Sequence, residues 1–436
     1  MSEQLISIIC AFSALLALIA IRVPIGLALI SVSFFGIAYE ASLRAAIGSI
    51  ARLPYELATN WSFSAVPMFL LMGFVAAETG LTKGLFNACR SLLSKLPGAL
   101  ACASVLASAL FAAASGSSVA TAAAMSRIAI PEMLRAKYDE GLACGTVAAS
   151  GTLGSLIPPS ILMILYGVYA EVSIGGLFLA GALPGLLSVA IYMAMIMMRC
   201  KANPMLAGGT LPPEDKQPIG PMLVSLLPLP VLIGIVMGSI SFGIATPTEA
   251  GALGALGAVV IAMVNGTFHW APFWRAVKQT ALSFTAIFII VVGGALLTRY
   301  VAIAGISNML RDLFADGAGG PLVLILSVSV LYIVLGMFID SIGLLLLTAP
   351  LILPIAISMD IDLIWFGIIL IKLLEIGLIT PPVGLNIFVI HSSLSGRIAL
   401  PKILRGVTWF IAMDVLTLAI LIAFPAITLW LPTLMK

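Results

Sequence analysis

From Leu96 to Ser126 the chain runs 31 residues without a charged side chain. As one helix this stretch would be about 46 Å long, well beyond the hydrocarbon core of a bilayer. Its centre, Ser115-Gly116-Ser117-Ser118, favours turning and N-capping over helix interior. The spacing predicts a re-entrant hairpin over 97–131 with its tip near the midplane. Composition agrees with a lipid-facing surface: 61% of residues are hydrophobic and 9% charged, where a soluble fold carries about a quarter charged. Strand-type alternation is absent, so a helical bundle rather than a β-barrel must satisfy the backbone in lipid.

The first apolar run, Gln4–Ile21, lacks a basic leader and a small-residue exit, and another apolar run follows it. It reads as a retained helix. Cys10, Cys89, Cys102, Cys144 and Cys200 show no metal spacing and, being odd in number, no disulfide framework; they read as small buried hydrophobes. A net charge of +3 gives no reason to expect nucleic acid, and no phosphate-binding G-x-x-x-x-G-K-[ST] run occurs.

The chain repeats itself. A shift of 223 residues places Pro24 on Pro247, Pro131 on Pro354 and Pro158-Pro159 on Pro381-Pro382, together with Arg52 on Arg275, Ser118 on Ser341, Asp139 on Asp362 and Gly154 on Gly377. Four of 11 first-half prolines thus fall on another proline, whereas 25 prolines in 436 residues predict fewer than one such coincidence. Each half reads as five crossings plus one interrupted element. The first has 4–21, 23–39, 61–79, 141–170 and 174–198; the second has 222–243, 247–265, 280–299, 361–391 and 406–431. Five is odd, so the second repeat lies inverted. The stretches 41–60 and 266–279 read as interfacial helices. With the N-terminus outside, 15 Lys and Arg fall on the cytoplasmic side against five outside, as the positive-inside rule asks. Both termini are then expected to be periplasmic or extracellular. The first hairpin enters from the cytoplasm; its counterpart, over 320–357 and broken at Asp340-Ser341-Ile342-Gly343, enters from outside.

Two further breaks interrupt the crossings 141–170 and 361–391, at Gly151–Ser160 and Gly377–Asn386. A Pro-Pro pair removes two amide donors and forces the preceding residue extended. Carbonyls ending one half-helix can hold a cation, and N–H groups starting the next attract an anion. Four breaks, paired two and two, predict two cation sites flanking one anion site. Candidate cation ligands are Ser115, Ser117, Ser118, Gly151 and Gly154 in the first repeat, and Asp340, Ser341, Gly343, Thr380 and Gly384 in the second. Candidate substrate contacts are Ser118, Thr121, Ser155 and Pro158, with Ser341, Thr380 and Asn386; for Asn386, in an apolar helix, a cross-helix bond is the alternative. Asp340, flanked by long apolar runs, is costly there unless paired or functional; structural bonding at the hairpin tip is the alternative. The serines around 115–118 are equally explained by capping. Glu249 reads as the third residue of a capping box opened by Thr246. Lys372 and Glu375, one turn apart, read as a neutralising pair.

The motifs SGSSVAT (115–121), GTLGSLIPPS (151–160), YGVYAEVSIGGLFLAGALPGLL (166–187), ATPTEAGALG (245–254), GMFIDSIG (336–343) and ITPPVGLNIFV (379–389) together resemble the large membrane subunit of tripartite ATP-independent periplasmic (TRAP) transporters, over essentially the whole length. The resemblance implies an all-α polytopic fold of the elevator type, with sodium-driven uptake of a small organic acid across a bacterial inner membrane. It implies two partners, a small four-helix membrane subunit and a periplasmic substrate-binding protein. No apolar run precedes Met1, so the small subunit is expected as a separate chain. Residues 1–60 and 221–280 would be scaffold. Residues 61–198 and 281–436 would be the transport part, with 199–220 a cytoplasmic linker. An intramembrane hydrolase would need a base beside a serine, and neither His269 nor His391 lies near SGSS or the Pro-Pro breaks in the repeat. An ATP-driven permease is a second alternative, but its coupling-loop-like EAGALG (249–254) is expected near the outer face; a passive channel is a third and would conduct without a sodium gradient.

Overall fold

The computed structural model describes residues 3–208, 226–306, 320–394 and 396–434. Among them the first half forms α1 (Glu3–Ala20), α2 (Ile25–Glu40), α3 (Leu43–Ala58), α4 (Ala65–Glu78), α5 (Leu81–Leu92), α6 (Ala99–Ser115), α7 (Ser118–Arg135), α8 (Glu140–Leu156), α9 (Ile161–Tyr169) and α10 (Ile174–Ala202). The second half forms α11 (Pro228–Ser241), α12 (Pro247–Val264), α13 (Trp270–Ile303), α14 (Gly320–Gly336), α15 (Ser341–Ser358), α16 (Leu363–Ile379), α17 (Leu385–Ser393), α18 (Leu400–Ala423) and α19 (Ala426–Thr433). Among the described residues, seven helical segments are long and apolar enough to cross a membrane. Adding 223 to the bounds of α7 and α8 gives those of α15 and α16 at both ends, so the halves repeat in structure as well as in sequence.

Each expected break has a visible cause. Gly116 ends α6 in the left-handed region (φ 59°), and Ser117 then caps α7. Asp340 caps α15 in the same way. Ile157 and Thr380, the residues before the two proline pairs, are both extended, as the clash with a following proline ring requires. The capping box at Thr246 and Glu249 is present: Glu249 Oε2 accepts from the Thr246 N–H at 2.8 Å, and the Thr246 hydroxyl accepts from the Glu249 N–H. Thr246→Ala is expected to lower stability by about 1 kcal/mol, read as a small fall in the thermal unfolding midpoint.

Four expectations need correction. From Trp270 the interfacial stretch 266–279 runs without a break into the crossing 280–299 as one 34-residue helix, α13. In the first repeat Thr59-Asn60 breaks the chain, Asn60 capping the next turn through Ser62 N; the second repeat has Leu282-Ser283 there and no such cap. The boundary expected at 280/281 therefore falls inside a helix. The crossing 406–431 is interrupted at Phe424-Pro425, since Pro425 brings no N–H to continue α18. Cys10 is exposed on α1, while the other four cysteines are buried as expected. The linker 199–220 begins as the last turn of α10 and a 3-10 turn, Pro204–Ala207; its remainder from 209 lies outside the described residues.

The centre of the molecule is α8, buried from Gly141 to Leu156. Small residues let its neighbours approach closely. Gly141 and Gly145 lie against the backbone of Gly406 on α18, and Gly154 against that of Ser117.

Candidate functional site

The two hairpin tips and the two broken helices meet. A cavity of about 100 Å³ is lined by Ser117 and Ser118 from the first tip, Asp340 and Ser341 from the second, and Ser155 at the end of α8. Its apolar walls come from Val119, Ile161, Leu162, Ile342, Leu378 and Leu385. Four helices, α7, α9, α15 and α17, begin at or within a residue of this wall. Helix N-termini carry partial positive charge and unpaired N–H groups. Their convergence favours an anion, while the ends of α8 and α16, represented by Ser155 and Leu378, bring negative dipole ends to the same space.

Hydrogen bonds fix the first tip to α8. Ser118 Oγ lies 2.5 Å from Ser155 Oγ and donates to the Thr152 carbonyl at 3.2 Å. The Ile161 N–H reaches the Gly116 carbonyl at 3.4 Å, joining the tip to the start of α9. Thr121 and Ser115 turn inward. Their hydroxyls bond each other at 2.8 Å, and Thr121 donates to the Ser117 carbonyl, so both brace the tip rather than line the cavity.

Asp340 is the informative residue of the second tip. Its Oδ2 accepts the Gly343 N–H at 2.9 Å, which is ordinary capping. The 223-residue register puts Ser117 at the equivalent position, where a serine hydroxyl caps α7 by accepting from Ala120 N–H. Serine and aspartate cap about equally well. The charge on Asp340 therefore exceeds what capping needs, and a half-buried carboxylate facing a cavity suits a cation. Ser341 Oγ and Ser160 Oγ are buried and make no hydrogen bond among the described residues. Such hydroxyls are the expected mark of a polar ligand.

The remaining candidates lie behind this lining. Gly151 and Gly154 allow close packing against Ala122 and Ser117, and Gly343 sits against Ile25 and its own cap Asp340. Pro158 is buried within the first break. Thr380 donates to the Ile376 carbonyl at 2.5 Å, ending α16, and Gly384 takes a left-handed conformation to start α17. Asn386, fully buried, donates across to the Ala148 carbonyl of α8 at 3.3 Å, leaving its Oδ1 without a partner among the described residues. Sequence reasoning missed the cavity's apolar walls, which carry no signature in so apolar a chain.

Residues 12–427 match the model of a family described as the tripartite ATP-independent periplasmic transporter, DctM component. The chain belongs to this family. The sialic acid TRAP transporter large permease protein SiaM of Vibrio cholerae is 37% identical over 380 residues, covering 86% of this chain and 87% of that one. The C4-dicarboxylate TRAP transporter large permease protein DctM of Pseudomonas aeruginosa is 33% identical over 391 residues, covering 88% and 90%. The fold is shared more widely. The YdaH transporter of Alcanivorax borkumensis superposes with a TM-score of 0.60 at 13% identity, over 87% of this chain and 89% of that one. MtrF of Neisseria gonorrhoeae does so with 0.60 at 15%, over 86% and 84%. This DctM component is thus a multi-pass integral membrane protein and a transporter permease rather than an enzyme, and the cavity is its candidate solute site.

Proposed function

We propose that this chain is the large subunit of a sodium-coupled importer of a small organic acid in a bacterial inner membrane. The observation that carries this reading is the cavity where four helix N-termini meet one carboxylate, Asp340. A carboxylate solute would sit on the N–H groups of α7, α9, α15 and α17. Sodium would sit at the two tips, on Ser115, Ser117 and Ser118 with Gly151 and Gly154, and on Asp340, Ser341 and Gly343 with Thr380 and Gly384. The relatives support the solute class, being named for sialic acid and C4-dicarboxylates. The family's tripartite description supports a small membrane subunit and a periplasmic binding protein as partners. The excess of Lys and Arg in the loops expected inside supports periplasmic termini. In an elevator motion the hairpins and broken helices would move as one body against α1–α3 and α11–α13. Since α4 packs chiefly on α12 and α13, it would stay with the scaffold.

The test is uptake of labelled sialic acid and of labelled C4-dicarboxylate into vesicles containing both membrane subunits, with the binding protein outside. An inward sodium gradient should drive accumulation, and an equal potassium gradient should not. Uptake that requires ATP, or that runs without a sodium gradient, would overturn the proposal.

A further inference from the structure

The residues Lys372 and Glu375 on α16 do not form a simple pair. A third charge, Asp414 on α18, reaches the same ammonium. Lys372 Nζ lies 2.7 Å from Asp414 Oδ1, 3.1 Å from Glu375 Oε2 and 3.2 Å from Ser188 Oγ on α10. Tyr192, also on α10, donates to the same Asp414 Oδ1 at 2.5 Å. All five residues are 0% exposed. In the 223-residue register, Lys372 and Glu375 stand opposite Ala149 and Thr152, so the cluster exists in one repeat only.

Two carboxyls face one ammonium, and the second oxygen of each, Glu375 Oε1 and Asp414 Oδ2, makes no hydrogen bond among the described residues. On the helices packed around the cluster, no other charge balances the surplus. On α18, Lys402 is paired with Glu140 of α8 and Arg405 is exposed. On α10, Arg199 lies over the Trp409 ring and Lys201 is exposed. Tyr166 and Tyr169 on α9 bond Leu363 and Thr298; Tyr332 on α14 bonds Thr348; and His391 on α17 bonds Ile398. The helices α15 and α19 carry no titratable side chain. From α8, Thr152 and the backbone of Leu156 face the cluster. A lone negative charge buried without a partner is strongly unfavourable.

We propose that this cluster binds one proton, shared between Glu375 and Asp414, so that the triad with Lys372 is neutral. A metal cation fits poorly, because the Lys372 ammonium already occupies the centre between the carboxyls and would repel it. A proton adds no bulk, and each unpartnered oxygen can carry it. Two carboxyls this close to one site titrate as a unit. The cluster joins α10, α16 and α18 and lies against Thr152 and Leu156 in the last turns of α8, and none of its residues lines the solute cavity.

Infrared spectroscopy of the purified protein counts such protons, since a carboxylic acid absorbs apart from a carboxylate and shifts in heavy water. At neutral pH the wild type should show one carboxylic-acid band that is missing from both Glu375→Gln and Asp414→Asn, because either change leaves one anion for one ammonium. Lys372→Met should double it. The two neutral variants should be about as heat-stable as wild type, whereas a fully ionised triad, relieved of its surplus buried charge, predicts a gain in both. A band unchanged in Glu375→Gln and Asp414→Asn would overturn the proposal. So would a band that appears only when sodium is removed, which would assign the site to the metal ion. Both tests stand without Lys372→Met, should that variant fail to fold.

Discussion

Replacing Asp340 by alanine is expected to reduce sodium-driven uptake about 100-fold, the effect of losing roughly 3 kcal/mol of charged contact, while the protein still accumulates in the membrane. The sharper variant is Asp340→Ser. It restores the residue that caps the first hairpin at Ser117, so α15 keeps its N-cap and only the charge is lost. If Asp340 serves a cation, Asp340→Ser should be as inactive as Asp340→Ala, and raising external sodium should partly rescue both. Normal sodium dependence in Asp340→Ser would reduce the carboxylate to a cap and remove it from the site. Uptake and surface abundance, measured on the same cells, separate loss of function from loss of protein.

A larger structural effect is expected at Gly377. A β-carbon there would lie 2.8 Å from the α-carbon of Gly336, backbone against backbone, with no flexible side chain to give way. Gly377→Val must push the end of α14 away from α16, and overpacking of this kind costs about 1–3 kcal/mol or more. The segment displaced is the one leading into Asp340. Uptake should fall below detection, with a lowered thermal midpoint. Gly154→Val, whose β-carbon would meet the Ser117 backbone at 2.9 Å, should behave alike in the first repeat. Gly48→Ala on α3, with open space around it, is the control and should transport normally. Wild-type uptake by Gly377→Val would show that the hairpin tolerates separation from the broken helix.

Much of the site was legible because it is written in residues whose effect on the backbone is local. A proline pair ends a helix wherever it stands, and Gly116-Ser117 breaks and caps one within two residues. The four breaks and the Thr246–Glu249 box depended on no distant contact. Side-chain direction was less legible. Ser115 and Thr121 share a motif with Ser117 and Ser118, but they turn to each other while the latter face the cavity. Asn386 turned to Ala148 on α8, because α17 packs on that helix. Asp414 has no local signature within its long apolar helix, 42 residues from Lys372. The fusion of 266–279 with 280–299 was hidden because the absence of a cap leaves no motif to read.

By itself the sequence determined that the chain lives in lipid, that its halves repeat at 223 residues, and where each half must break. These follow from hydropathy, proline geometry and capping, which act over a few residues. Tertiary structure alone decided that the four breaks meet at one cavity, which hydroxyls face it, and that Lys372 answers to two carboxyls instead of one. Those outcomes depend on how helices far apart in sequence pack. Small residues such as Gly154 and Gly377 set that packing only once their partners are in place.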